Sequence, residues 1–184
     1  MAQRAQLWND ACAVYATLID GGDLPVQATQ LFVGEGEKVF LQDYYVGWRT
    51  SITLTYDEII MALGAENFYQ RSDFASQAIQ STFQDDYGMV TSHLTDQRLI
   101  IMTAPQTRSL WHRDLIAING RLNEAGNLVP EEFNVAYDGH RPQTIYGPAA
   151  LGLTISLAWA AGGAHALQNP VFGPVAAAVS AGPR

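Results

Sequence analysis

The chain contains 184 residues, which suits one domain of ordinary size, and 48% of its residues are hydrophobic. Its formal net charge is −8, and its ten basic residues are scattered along the sequence. Nucleic-acid binding needs clustered lysine and arginine, so the composition opposes it, and the same charge opposes strong attraction to anionic lipid. Cys12 is the single cysteine and the four histidines lack metal-ligand spacing, so we predict no disulfide, no metal and no cofactor.

An amphipathic helix is predicted near the N-terminus, from about Gln3 to Asp20. Its apolar residues recur at three- and four-residue steps, and Gly21 and Gly22 end the pattern. Polar residues interrupt the apolar ones and no basic segment precedes them, so the segment does not have the pattern of a secretory signal. We therefore expect a cytoplasmic protein.

Strand-forming residues follow a turn-rich loop. The segments "KVFLQDYYVGW" and "RTSITLTY" are rich in aromatic and β-branched residues, and they predict two strands or one bent strand pair, with Gly47 as a bulge or turn. From Asp57 the apolar spacing changes to helical steps, and "RSDFASQAIQSTFQDD" places its apolar side chains on one helix face. We therefore predict a helical insertion at about 57–86.

The second half of the chain is predicted to be mostly β-structure. Short runs such as "YGMVTSHLT", "DQRLIIMTA" and "SLWHRDLIAI" are typical of antiparallel strands joined by turns, and an uncharged helical run begins at Pro148. The predicted fold class is α+β: an antiparallel β-barrel or bent sheet with an N-terminal helix, a helical insertion and a C-terminal capping helix. We assign 1–24 to the N-terminal helix, 25–168 to the main domain and 169–184 to an Ala/Gly/Pro-rich tail.

Residues His112 to Asn119 match H-R-D-L-x-x-x-N, the catalytic-loop pattern of protein kinases. The other parts of a kinase are missing: "FVGEGEKVF" lacks the third glycine, Lys38 lies inside that same stretch, and no D-F-G follows Asn119. We interpret "SLWHRDLIAI" as a single strand instead. No nucleophile, metal set or phosphate loop is recognisable, so we predict no catalytic residues and regard an enzyme as the least favoured hypothesis.

The run from Tyr146 to Gln168 contains no Asp, Glu, Lys or Arg. It is long enough to contact or span a membrane, or it could form a helix that plugs an open β-barrel. Alanine and glycine dominate it, which makes it weaker than a typical membrane span, and small residues suit close packing. We favour the buried cap and keep membrane association as the alternative.

A hairpin motif links the sequence to a known kind of domain. The stretch 94–100 reads L-T-D-Q-R-L-I, in which Thr95 ends one strand, Asp96 and Gln97 form the turn, and Arg98 starts the next strand. This pattern resembles the strand-turn-strand of bacterial PH-like and GRAM-like domains, and "LWHRDLIAI" suits the strand that follows there.

The C-terminal part carries the same likeness. The segment "FNVAYDGHRPQTIYGPAALGLTISLAWAAGGAHAL" resembles the end of small actinobacterial PH-like proteins of unassigned function, where a hairpin leads through a Gly-Pro element to an apolar helix. The resemblance covers about Gly34 to Leu167. The chain departs from the family in its acidic balance and in the predicted helical insertion.

The resemblance implies a PH-like fold more firmly than any one function, because such folds host unrelated activities. It implies a non-catalytic binding module, and the net charge favours a protein partner over a membrane surface. Arg98, Arg108 and Arg113 are candidates for a small anion-binding site, as in lipid-headgroup sites of PH domains, with ordinary surface salt bridges as the alternative. A structural protein that forms homo-oligomers through the C-terminal apolar segment is a further hypothesis.

Overall fold

A computed structural model describes residues 2–31, 33–52, 83–104, 106–124 and 128–182 of the chain. The ordered elements in these ranges are α1 Ala2–Ile19, β1 Val39–Ile52, β2 Phe83–Thr95, β3 Arg98–Met102, β4 Thr107–Trp111, β5 Leu115–Leu122, β6 Leu128–Tyr137, β7 Gln143–Tyr146, α2 Ala150–Ala166 and α3 Gly173–Ser180. Two short 3-10 turns accompany them, at His112–Asp114 and Pro170–Phe172.

The strands form one antiparallel sheet in the order β4-β3-β2-β1-β7-β6-β5. This sheet curls into a half-barrel, with β1 at its centre and with β4 and β5 at its two edges. The predicted α+β class is confirmed, including a bent antiparallel sheet, an N-terminal helix and a C-terminal helix. The predicted turn at Asp96 and Gln97 is also confirmed, since β2 ends at Thr95 and β3 begins at Arg98.

A three-residue junction connects the two edge strands of the sheet. β4 and β5 lie at opposite edges but are consecutive in the chain, and the turn His112–Asp114 separates them. The backbone N–H of His112 donates to Gln97 O (2.9 Å), and Asp138 N–H donates to Asp114 O (2.7 Å). The junction is thus bonded to the β2–β3 hairpin on one side and to the end of β6 on the other.

This junction corrects the interpretation of "SLWHRDLIAI" as a single strand, which is wrong. The chain leaves one edge of the sheet at Trp111 and enters the other edge at Leu115. The alternation of side chains continued through the turn in the sequence, so periodicity alone did not reveal the break. The kinase-like residues therefore lie on a tight connection between two edge strands.

Helix α2 fills the concave side of the half-barrel. From Ala150 to Ala158 every residue except Gly152 is buried. They pack with buried strand side chains in the hydrophobic core, while α1 contacts this helix and α3 contacts α1. This first half of the helix carries no charge, as expected where each face of a helix meets protein.

Among the described residues, no individual helix combines the length and the apolar composition of a membrane span. Helix α2 meets that criterion only together with Pro170–Ser180, as a pair bent by 110°.

Strand β1 is one continuous strand with irregular pairing. Its ladder with β2 shifts between Val39 and Leu41, between Leu41 and Tyr44, and between Gly47 and Arg49, the last at the predicted bulge. Between Leu41 and Tyr44, Asp43 has φ 52°, a left-handed conformation, and its N–H donates to Nδ1 of buried His93 (3.1 Å). Burial lowers the pKa of His93, although the charge of Asp43 acts in the opposite direction.

Two further predictions differ from the structure. The helical insertion does not extend to Asp86, because Phe83–Thr95 form β2, and the rest of the insertion at 57–82 lies outside the described residues. The segment predicted as an Ala/Gly/Pro-rich tail contains α3, and Phe172 and Val175 belong to the core. Within the helix, buried Val175 and the partly buried Ala176 and Val179 pack against the core.

Candidate functional site

The predicted anion-binding arginines have different surroundings, and Arg98 is part of an internal ion pair. Its Nε lies 3.0 Å from Glu37 Oε1 and its Nη2 lies 3.1 Å from Glu37 Oε2, while Nη1 donates to Ser109 Oγ (3.0 Å). The Glu37 side chain is only 1% exposed. It also accepts hydrogen bonds from Thr95 Oγ1 (2.7 Å) and Gly34 N–H (2.6 Å).

These contacts keep Glu37 ionised inside the protein. Burial by itself raises the pKa of its carboxyl, but the hydrogen bonds from Arg98, Thr95 and Gly34 and the Arg98 charge outweigh burial and lower that pKa. The pair therefore joins the loop before β1 to the β2–β3 hairpin. The guanidinium of Arg98 is already hydrogen-bonded to protein groups, so the main role of Arg98 is structural.

Arg108 lies apart from Arg98. In the regular β3–β4 ladder Arg98 is opposite Trp111 and Arg108 is opposite Ile101. Because Arg98 and Ile101 are three positions apart on one strand, the two arginines point to opposite faces of the sheet. Arg108 donates to the hydroxyl of Tyr87 (2.9 Å) and lies over that ring.

Arg113 is the most accessible of the three, and the structure brings it near Arg98 through a shared indole ring. The guanidinium carbons of Arg98 and Arg113 lie 4.9 and 5.2 Å from the centroid of the Trp111 ring. The Arg113 side chain is 78% exposed, and its Nε is 3.7 Å from Asp114 Oδ1. That separation is too long for a hydrogen bond.

An open cavity of about 570 Å³ lies between β5 and the second half of α2. Small residues of α2 form one wall, and β5 residues form the other. The lining residues are His112, Leu115, Ile116, Ala117, Ile118, Ala158, Ala161, Gly162, His165, Ala166, Gln168, Asn169 and Pro170. Because the α2 wall has short side chains, the helix leaves room for an extended chain or a ligand beside the strand.

A second cavity of about 740 Å³ continues along the same strand. It shares Asn169 and Pro170 with the first, and its remaining lining residues are Asn119, Gly120, Leu122, Leu128, Val171 and Pro174. We call the two cavities together the β5 groove. It runs from His112 to Leu122, the full length of the strand.

The edge of β5 is accessible but irregular. In the described part of the chain, β6 is the strand that pairs with it, and the opposite edge faces the groove. The pairing with β6 shifts between Leu115 and Ala117, so Ile116 is the extra residue of a bulge, and it is 67% exposed. Asn169 Nδ2 donates to Ile118 O (3.3 Å) and covers part of the edge. Bulges and side-chain caps of this kind limit pairing with a further strand and re-aim side chains.

His112 closes one end of the groove. Its Nε2 lies 2.9 Å from Thr95 O, and since a carbonyl can only accept, Nε2 carries the proton. Nδ1 is buried without a hydrogen-bond partner among the described residues, and in the neutral ring it is an acceptor. Burial lowers the pKa of His112, against the opposing effects of the Thr95 carbonyl and the charges of Asp96 and Glu37.

The arrangement suits binding by shape and apolar contact. No group of three or more His, Cys, Asp or Glu side chains in the described ranges is placed to hold a metal ion. Of the groove residues, the sequence analysis singled out His112, Leu115 and Asn119, and only as positions of the kinase-like motif. It missed Ile116, His165 and Asn169, which come together only when β5 packs beside the C-terminal segment.

We found no match to this chain among protein-family models, curated proteins or solved structures.

Proposed function

We propose that the protein is a non-catalytic binding module and that the β5 groove holds an extended segment of a partner protein. One observation carries this proposal: the groove runs along the whole accessible side of an edge strand that presents exposed Ile116 and Leu122. Exposed apolar side chains beside a concave surface are typical of interaction sites. A strand of eight residues spans roughly 26 Å, so the groove suits a segment of about six to eight residues.

The bulge at Ile116 and the cap on Ile118 O favour recognition through side chains over a continuous backbone ladder. The small residues of α2 leave space for apolar side chains of the segment. An interface of this length is at or below the low end of specific protein interfaces, about 1,200 Å² in total, which is the range of transient complexes. We therefore expect reversible binding.

We also infer that the fold is PH-like. The curled antiparallel sheet, the L-T-x-x-R-L-I hairpin and the C-terminal helix packed into the half-barrel support this assignment, since they are the features that the sequence resemblance implies. A membrane surface and a homo-oligomer formed by the C-terminal apolar segment are the alternatives. Most of the first half of α2 is already buried inside its own domain, which favours the partner-protein proposal over both.

The test uses a phage-displayed library of random peptides of roughly a dozen residues, selected against the full chain. We expect the wild-type protein to enrich peptides with a common apolar pattern. Ile116→Asp should weaken binding of the synthetic consensus peptide by about tenfold or more, because it places a charge against the apolar segment. Met89→Asp is the matched control, since Met89 is 60% exposed on β2 and does not line either cavity of the groove.

Two results would contradict the proposal. The first is the absence of any enriched peptide with correctly folded wild-type protein. The second is equal affinity of the consensus peptide for wild type and Ile116→Asp. Circular dichroism and unfolding midpoints of both variants show whether a lost interaction comes from unfolding.

A further inference from the structure

We propose that a small pocket beside helix α1 binds an alkylammonium group, the charged end of a primary amine. The pocket has a volume of about 240 Å³ and lies between α1, β1 and the first half of α2. Its polar side chains are Asp10, Tyr44 and Ser156, and its other lining residues are apolar or small. We call it the α1 pocket. It shares no lining residue with the β5 groove, so this inference is independent of the proposed function.

The polar side chains of the α1 pocket offer hydrogen-bond acceptors. The Tyr44 hydroxyl donates to Ala149 O (3.3 Å), and the Ser156 hydroxyl donates to Gly152 O (2.9 Å). A hydroxyl has one proton to donate, so each oxygen is left with the capacity to accept. The carboxylate of Asp10 is an acceptor as well, and the described residues that line the pocket include no Lys, Arg or His. The ligand is therefore expected to bring the donors.

Asp10 supplies a negative charge that no basic side chain of the described residues compensates. Its Oδ1 accepts a hydrogen bond from the neutral amide of Gln6 (2.7 Å), and Asp10 takes part in none of the ion pairs of those residues. Burial and the charge of Asp10 both raise the pKa of Tyr44, so the carboxylate lies within electrostatic reach of that hydroxyl and keeps it neutral. The positive end of the α2 dipole lies at the same wall, but its partial charge is only about half that of a carboxylate. A cation is thus the charge that suits this pocket.

The apolar walls and the volume limit the size of the ligand. Leu7 and Val14 of α1 and Leu41 of β1 supply apolar contacts. An added β-carbon at Gly152 would lie 2.6 Å from the Tyr44 hydroxyl oxygen, so this glycine lets the hydroxyl pack against the helix. Since a water molecule takes up roughly 30 Å³ in the liquid, 240 Å³ holds about eight non-hydrogen atoms. That suits an ammonium group on an apolar chain and is too small for a nucleotide.

An alkylammonium group can belong to a free amine or to a lysine side chain of another protein. Both carry three N–H donors on an apolar stem, and these donors match the carboxylate and the two hydroxyls of the α1 pocket. The probes are therefore n-pentylamine and Nα-acetyl-lysine N-methylamide. The second probe has the backbone amides of a lysine residue, which would have to remain outside the pocket.

The experiment is a titration of the full chain followed by ¹H–¹⁵N NMR. We expect n-pentylamine to shift the amide signals of Tyr44 and Gly152 saturably, with a dissociation constant in the millimolar range for so small a ligand. Asp10→Asn keeps the shape of the side chain and should weaken this binding by about three- to tenfold, because the charged partner of the ammonium is lost. Asp20→Asn is the matched control. It removes the same charge from an exposed residue that follows α1 and does not line the pocket, so the affinity should not change.

A neutral ligand isolates the contribution of the charge. 1-Pentanol has nearly the same shape as n-pentylamine, and it should bind more weakly than the amine and equally to wild type and Asp10→Asn. A general loss of packing in the variant would weaken both ligands alike. The NMR spectra of the two variants show whether each of them is folded.

The outcomes decide both the site and the source of its ligand. A lysine derivative that binds at least as tightly as n-pentylamine supports recognition of a protein lysine, and a clearly weaker one supports recognition of a free amine. Three results would overturn the proposal. These are shifts that never saturate or that spread over the acidic surface, equal affinity of n-pentylamine for wild type and Asp10→Asn, and equal affinity of wild type for 1-pentanol and n-pentylamine.

Discussion

Replacing Glu37 by glutamine tests whether the internal ion pair stabilises the β2–β3 hairpin, to which His112 is hydrogen-bonded. The substitution keeps the side-chain shape but removes the charge and one acceptor oxygen. Four hydrogen bonds reach this carboxylate, two of them from Arg98, and the Glu37 side chain is almost fully buried. The new amide nitrogen would face donors on Gly34 or on Arg98, so at least one contact becomes repulsive.

The expected loss of stability can be bounded. Breaking a buried ion pair from one side costs about 3–5 kcal/mol, because the remaining charge is left uncompensated. The Arg98 side chain is 18% exposed, so water can partly solvate its guanidinium and we expect the lower end, about 3 kcal/mol. For a chain of this size that corresponds to a fall in Tm of roughly 6–12 °C.

Urea unfolding followed by tryptophan fluorescence measures this change in the free energy of unfolding. Arg121→Ala is the control, because it breaks a shorter but exposed pair with Glu132, and it should cost no more than about 1 kcal/mol. In the double variant Glu37→Gln/Arg98→Ala the losses should be clearly less than additive. A cost for Glu37→Gln as small as that of the control would refute the reasoning.

The pH dependence adds a second readout. The pKa of Glu37 is lowered in the folded protein, so its contribution is fully present above the unfolded value of about 4.5 and is lost as the pH falls through the folded pKa. The stability difference between wild type and Glu37→Gln should therefore shrink in acid. A difference that stays constant down to low pH would mean that the charge is not its cause.

Two further predictions follow from other contacts. Gly47→Ala should cost about 1–3 kcal/mol in urea unfolding, because its β-carbon would overlap the ring of Tyr146 and displace that hydroxyl from Asp86; an unchanged midpoint would contradict this packing. Burial lowers the pKa of His93 and His112, so stability should fall as the pH drops below about 6.5, where the unfolded chain takes up protons first. Glutamine at both positions should flatten this decline, and an equally steep decline in that variant would exclude the histidines as its source.

Local patterns in the sequence predicted the helices and turns that are stabilised by residues close together in the chain. The three- and four-residue spacing of α1 and the L-T-x-x-R-L-I turn both have local causes, namely one apolar helix face and the side-chain hydrogen bonds of Thr95 to the N–H groups of Gln97 and Arg98. The uncharged run after Pro148 predicted a buried helix, because a segment without charge can be surrounded by core on all sides.

The groove could not be predicted in the same way. It forms where β5 packs beside α2 and the turn at Pro170, segments separated by dozens of residues, and no local pattern encodes that approach. The different surroundings of the three arginines could not be predicted from the sequence either. Glu37 lies 61 residues before Arg98, and only the packed sheet shows that this carboxylate occupies Arg98 while Arg113 remains accessible.

The three-residue junction between β4 and β5 has a consequence for sequence change in this protein. Because its two ends are bonded to different parts of the sheet, an inserted or deleted residue that the bulge at Ile116 does not absorb would move β5 one position along β6. Such a shift exchanges the two faces of a strand. Buried Ile118 would then turn outward, and exposed positions of the strand would turn toward the core. The length of this connection therefore determines which side chains the strand exposes, and the connection should tolerate substitution far better than a change in length.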